Sequence, residues 1–265
     1  MSQDLDAAAT TLSGGNVNAG VVWIGDTVRR RMGPQSASIH RLLLHLEAEG
    51  FGASPRFLGI DGQGREILAF LDGQADCAPE LWQDGQALVA AARLLRDYHD
   101  ATVDFVHTAS DHWAFRYPDS ARHEVICHND FAPYNLIFRD GRPAAVIDFD
   151  LAGPGPRLRD VAYLAYWTVP LSFHSSEMAA AAFDDLRNGS ARLRLFCDSY
   201  GIAGDAALPA MVEAVLEHMG DEAAMVSMLG ADVAERLARD GHLEHWRQER
   251  AAFQAHRHQL LSNLA

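Results

Sequence analysis

Apolar residues alternate with polar ones in short runs early in this chain and recur at helical spacing later, and that change of period sets the expected architecture. Val21 to Ile24 and Thr27 to Arg30 read as two strands joined at Gly25-Asp26, a dipeptide suited to a tight hairpin. From Gln35 to Glu49 the positions Ile39, Leu42, Leu43 and Leu46 fall on one face of a helix, which Gly50 stops. Strands resume at Arg56 to Ile60 and Glu66 to Leu71, around the turn Asp61-Gly62-Gln63-Gly64.

Around Leu71-Asp72-Gly73 the period changes from two to 3.6, and the boundary between two lobes is expected there, with 1–72 in the first and 73–265 in the second. Leu88, Ala91, Ala92, Leu95, Tyr98 and His99 share one face of a helix ending near Asp104, with Arg93, Arg96 and Asp97 opposite. Leu136 to Arg139 and Ala144 to Phe149 interrupt the helical region as strands joined through Asp140-Gly141. Leu158 to Trp167, Ser190 to Tyr200, Leu208 to His218 and one stretch from about Asp221 to His258 read as further helices. The expected class is α+β, strands first and helices after.

Composition narrows the partners. With 48% hydrophobic and 22% charged residues over 265 positions, the chain is that of an ordinary globular protein. A formal net charge of −14 argues against nucleic acid, whose phosphates need a basic field, and favours cationic small substrates if it steers anything. Cys77, Cys127 and Cys197 are odd in number and widely spaced, so neither a disulfide framework nor a paired zinc motif is expected. The start, MSQDLDAAATTLSGG, is polar and lacks an apolar core, and no apolar run reaches bilayer length. A cytoplasmic protein without a membrane partner is the expectation.

The segment from Val125 to Asn135 joins an apolar approach to a loop bearing Asp130 and, five residues on, Asn135; Asp148-Phe149-Asp150 follows thirteen residues later. Phosphoryl transfer needs one carboxylate to accept a hydroxyl proton and oxygen ligands that hold magnesium against nucleotide phosphates. Asp130, Asn135 and Asp148 supply those groups, and the hairpin between them can return Asp148 beside the loop. Taken singly, each such residue more commonly caps a turn; the joint pattern, with Arg159-Asp160-Val161-Ala162 after it, points to a kinase-like site.

These residues resemble the aminoglycoside phosphotransferase and choline kinase family, whose loop reads HGD, four residues and Asn, followed by IDF or IDW. His128 to Asn135 and Ile147 to Asp150 match, with Asn129 in place of the glycine, and Leu94 to His99 resembles the family helix that precedes the loop. The resemblance implies a bilobal protein-kinase-like fold with Asp130 as catalytic base, Asn135 and Asp148 as metal ligands, Asp160 as a partner of the loop and His128 as structural. It also implies a lysine on the third strand and a glutamate on the next helix. No lysine occurs there: Arg29 and Arg30 stand at that strand's end, and Arg30 is chosen to face inward towards phosphate, an exposed arginine being the alternative. His40 lies near the glutamate's place and Glu47 comes too late. Gly15 and Asn16, in Ser13-Gly14-Gly15-Asn16, form a candidate turn over the phosphates, or a plain strand turn. Ala69 and Leu71 would offer backbone groups to adenine, or end an ordinary strand.

The expected function is an ATP- or GTP-dependent, Mg2+-requiring phosphotransferase acting on a hydroxyl of a small molecule, an aminoglycoside or another cationic metabolite being candidates. Asp184, Asp185, Asp198, Glu213, Glu217, Asp221 and Glu222 would either line a cleft for such a cation or form solvated helix surface. The alternative is a non-catalytic kinase-like binding or immunity protein that sequesters a toxin, peptide or nucleotide. A protein-hydroxyl kinase is the third reading, against which the helix from Arg157 leaves no room for an activation segment. His242, His245, His256 and His258 are read as a solvated helix face, because a closed zinc site lacks its fourth ligand.

Overall fold

A computed structural model describes residues 10–11, 21–75 and 81–265. Its first sheet runs in the order β1-β2-β3-β5-β4, built from β1 (Thr10–Thr11), β2 (Val22–Ile24), β3 (Thr27–Arg31), β4 (Phe57–Ile60) and β5 (Arg65–Ala69), all antiparallel. Gly25, at φ +56, makes the β2–β3 turn that the sequence predicts. Between β3 and β4 lies helix α1 (Ser36–Ala48), whose Ile39, Leu42, Leu43 and Leu46 are buried. Burial of each such side chain contributes about 1.5–3 kcal/mol, which is what docks α1 on the sheet and on the helices beyond it.

The chain leaves this sheet after β5 and pairs next with distant residues. Strand β6 (Gln74–Ala75) joins the hairpin of β8 (Leu136–Arg139) and β9 (Arg142–Val146) in a separate sheet. Gly73 sits at φ +141, where a Cβ would lie 2.5 Å from Ile137 Cγ2 and 2.7 Å from the Phe138 carbonyl, so the crossing needs glycine. Helix α2 (Gly85–Thr102) is capped by Asp84, which accepts from the Gln86 amide at 2.7 Å, and buries the face predicted from Leu88 to His99. Strand β7 (Val125–Cys127) pairs with β10 (Gly153–Gly155), and α3 (Arg157–Thr168) runs behind both. Six further helices follow among the described residues: α4 (Ser176–Arg187), α5 (Ala191–Tyr200), α6 (Ala207–Met219), α7 (Glu222–Leu229), α8 (Ala231–Arg239) and α9 (His242–Leu264). The result is the expected α+β bilobal arrangement, a small β-rich first lobe on a larger helical one.

Four local expectations are corrected. The second hairpin strand ends at Val146 and not Phe149, because Asp148 adopts φ +62 and turns the chain out of the ladder. The stretch from Asp221 to His258 is three helices, broken at Gly230 and Gly241, with φ +86 and +83. Helix α4 was not expected, since its run Ala179-Ala180-Ala181-Ala182 carries few large apolar side chains. Strand β10 was not expected either, because Gly-Pro-Gly has no strand propensity; tertiary pairing with β7 forms it. No described helix is long and apolar enough to cross a membrane.

Candidate active site

The loop after β7 is held from behind by α3. Asp160, fully buried near the start of that helix, accepts from the His128 amide at 2.6 Å, the Asn129 amide at 2.8 Å and His99 Nε2 at 3.1 Å. Although burial disfavours its charge, those bonds keep its carboxyl below the usual aspartate range. His128 is buried, its Nε2 lies 3.1 Å from the Ile147 carbonyl, and burial pushes it down to about 4, so it is a neutral structural residue at ordinary pH. Asn129 stands at φ +64, the left-handed backbone that glycine supplies elsewhere and that asparagine tolerates. Its side chain also receives Arg159 Nε at 2.9 Å and donates to the Leu151 carbonyl at 2.9 Å, which locks the loop to the segment after Asp150.

Asp130 follows, half-buried, with both oxygens engaged. Asn135 Nδ2 donates to Oδ2 at 2.8 Å and to the Asp130 carbonyl at 2.9 Å, and the Tyr134 hydroxyl donates to Oδ1 at 2.5 Å. Tyr134 in turn meets the Tyr163 hydroxyl at 2.8 Å. Burial, reinforced by the charge of Asp148 and opposed by the hydrogen bonds from Tyr134 and Asn135, raises the Asp130 carboxyl to about 7. With its amide hydrogens spent on Asp130, Asn135 has its amide oxygen left for a cation; that oxygen makes no hydrogen bond among the described residues.

Asp148 and Asp150 face Arg30 from across the lobes. Arg30 NH1 lies 3.2 Å from Asp148 Oδ1, and NH2 lies 2.7 Å from Asp150 Oδ1. Burial and the neighbouring Asp150 push Asp148 up, against the pull of Arg30. The Arg30 charge is disfavoured by burial, but Asp150, Glu66 and Asp148 together hold it firmly protonated. Its Nε pairs with Glu66 on β5, directly opposite in the β3–β5 register, and Glu66 also lies 2.6 Å from His40 Nε2, whose ring stacks on Phe57. Arg29 points the other way and meets Asp61 at 3.6 Å.

Sequence reasoning thus missed Glu66, which supplies from a strand the carboxylate expected on a helix. The signal was there: a glutamate two residues from Leu68, on the inward side of an alternating strand. It also missed Tyr134 and Asp150 as partners of the central carboxylates. The Ala69 amide donates to the Arg56 carbonyl at 2.9 Å and the Phe70 amide to Asp26 at 2.8 Å, whereas the Leu71 amide has no such bond among the described residues. Ala69 and Leu71 border a cavity of about 300 Å3 shared with Leu43 and Phe51. Gly15 and Asn16 lie outside the described residues.

This layout is that of a protein-kinase-like phosphotransferase fold. Over 92–94% of both chains it is similar to an amicoumacin kinase solved with AMP-PNP and Ca2+ (TM-score 0.57, 12% identity) and to aminoglycoside 2'-phosphotransferase-IIIa solved with GDP (TM-score 0.58, 14% identity). A family model described as the phosphotransferase enzyme family matches residues 105–196. The trifolitoxin immunity protein of Rhizobium leguminosarum bv. trifolii is 31% identical over 183 residues, 68% of this chain and 69% of that protein. The chain belongs to the phosphotransferase enzyme family.

Proposed function

We propose that the protein transfers the terminal phosphate of ATP or GTP to a hydroxyl of a small molecule. The reading is carried by one observation: at the junction of the two lobes the hydrogen-bonded pair Asp130–Asn135 lies near enough to the Arg30–Asp148–Asp150 group for the charge of Asp148 to act on Asp130. Asp130 acts as base. A carboxyl raised to about 7 loses its proton near neutrality and still has driving force to take one from an acceptor. The hard oxygens of Asn135 and Asp148, with Asp150 beside them, are the donor set that Mg2+ favours, and they would hold it. Mg2+ there would neutralise phosphate charge. Arg30, tethered by Glu66, is placed to pass from the aspartates to phosphate oxygens, and Leu71 is the backbone donor for the base, with Gly15 and Asn16 proposed over the phosphates.

The acidic side chains that suggested a cationic acceptor are largely engaged within the molecule. Glu213 meets Arg250 and Arg257, Glu217 meets Arg250, and Asp221 caps α7. The class of acceptor therefore rests on the surroundings of Asp130 and not on net charge. The second reading, an immunity protein that binds a toxin or peptide without turnover, is favoured by the name of the 31% identical relative. The two readings meet if protection is delivered by phosphorylating a hydroxyl of the toxin.

Calorimetric titration of ATP and GTP with and without Mg2+, followed by nucleotide consumption over aminoglycosides, amino alcohols and peptides, separates them. Mg2+-dependent binding lost in Asp148→Ala, and turnover lowered about a hundredfold or more in Asp130→Ala, are expected of the enzyme. Nucleotide binding without consumption, unaffected by Asp130→Ala, would leave the binder.

A further inference from the structure

Both oxygens of the Asp130 carboxylate are occupied, but by partners of different kinds. On Oδ2 sits Asn135, fixed by its second bond to the Asp130 carbonyl. On Oδ1 sits the Tyr134 phenol, at 2.5 Å. A general base must lie within about 2.6–3.2 Å of the oxygen whose proton it removes, so a hydroxyl on Oδ1 stands where an acceptor hydroxyl has to stand. Tyr134 is the fourth residue after Asp130, and its side chain reaches back over the loop to do this.

The hydroxyl end of Tyr134 is buried, but the residue as a whole is 40% exposed, whereas Tyr163, which contacts that hydroxyl at 2.8 Å, is 3% exposed on helix α3. The ring is flanked by the edge of Trp167 at 5.7 Å between centroids. Rotation of this one exposed side chain uncovers Oδ1 while Tyr163 and Asn135 stay in place. Resting on the reading of Asp130 as base, we propose that the Tyr134 hydroxyl is the resident occupant of the acceptor position, a positioning residue that denies Asp130 to water and yields to the acceptor hydroxyl. It thereby limits wasteful nucleotide hydrolysis and restricts acceptors to those able to displace a phenol lying against Trp167.

The test needs no knowledge of the acceptor. Nucleotide hydrolysis with Mg2+ and no acceptor is followed from pH 5 to 9 for the wild type, Tyr134→Phe, Tyr163→Phe and each combined with Asp130→Asn. Tyr134→Phe keeps the ring and removes the hydroxyl. It should raise hydrolysis on the alkaline plateau about fivefold or more. The rise should fall on turnover and leave nucleotide affinity, read by calorimetry, unchanged. Tyr163→Phe, which loosens the hold on the Tyr134 hydroxyl, should give a smaller rise, and it carries the test if Tyr134→Phe does not fold. Hydrolysis unchanged or lowered in both variants, at undiminished nucleotide affinity by calorimetry, overturns the proposal. If Asp130→Asn leaves hydrolysis untouched in every background, the base assignment itself has failed, and the role given to Tyr134 falls with it.

Discussion

Glu66 shows how one residue can restore a broken pattern. The lysine and helix glutamate expected from the resemblance are both absent, yet Arg30 and Glu66 face one another across β3 and β5 and form the same kind of pair, with His40 completing it. Glu66 is 1% exposed, and its removal leaves Arg30 still paired with Asp148 and Asp150 but takes the partner from Arg30 Nε and from His40. Leaving buried donors without an acceptor in this way costs about 1–3 kcal/mol, so Glu66→Ala should lower unfolding free energy by roughly that amount in urea titration. Glu235→Ala, which removes an exposed pair with Arg239, should cost less than about 1 kcal/mol; equal costs would show that the Arg30–Glu66–His40 group contributes nothing special. The loop residues were legible because His128 to Asn135 and Ile147 to Asp150 are nearly contiguous and their spacing alone brings them together. Glu66, Asp150 and Tyr134 were not, because strand register and side-chain direction decide what each touches, and neither is written in residue spacing. Asn129 is the intermediate case: its departure from glycine was visible, and the reason, a left-handed backbone that asparagine also accepts, needed the fold.

At the scale of elements, period recovered nearly every strand and helix that has its own apolar face, and failed where tertiary context makes or breaks the element. Strand β10 exists because Gly153 lets the chain pass against Phe115: a Cβ there would lie 1.8 Å from the Phe115 carbonyl. Helix α4 has its pattern diluted by alanines. The long stretch from Asp221 keeps a helical period throughout, yet Gly230 and Gly241 cut it into α7, α8 and α9. The two glycines are not equivalent. Gly241 has φ +83 and ψ +4, a left-handed conformation open at modest cost to other residues, whereas Gly230 has φ +86 and ψ +160, which is essentially reserved for glycine. A Cβ at either would meet nothing within 4 Å, so the cost of alanine is backbone strain alone. Gly241→Ala should destabilise by about 1 kcal/mol and Gly230→Ala by about 2–3 kcal/mol, read by chemical unfolding. Equal values would mean that the α7–α8 corner relaxes to accept a side chain.

For the molecule as a whole, the perturbed groups define how stability depends on pH, and they do not all pull one way. Burial holds His128 and His218 near 4, and also lowers His99. Between the unfolded histidine value of about 6.5 and 4 the unfolded chain binds protons that the native chain refuses. Stability supplied by these groups is therefore complete above 6.5 and lost as pH falls towards 4. Asp130 has the opposite sign: raised to about 7, it makes the native state hold a proton that the unfolded state releases near pH 4, so its contribution, complete below about 4, is lost as pH rises from there through 7. Over that window the histidines and Asp130 oppose one another, and above it both are silent. Asp130→Asn removes the opposing proton and alters the net charge of −14 by only one, so the variant's Tm should rise more steeply than the wild type's between pH 4.5 and 7, at about 2–4 °C per kcal/mol for a chain of this length, and run parallel to it above pH 8. Parallel curves between pH 4.5 and 7 would mean that Asp130 ionises near its ordinary value and is not poised to act as a base at neutrality.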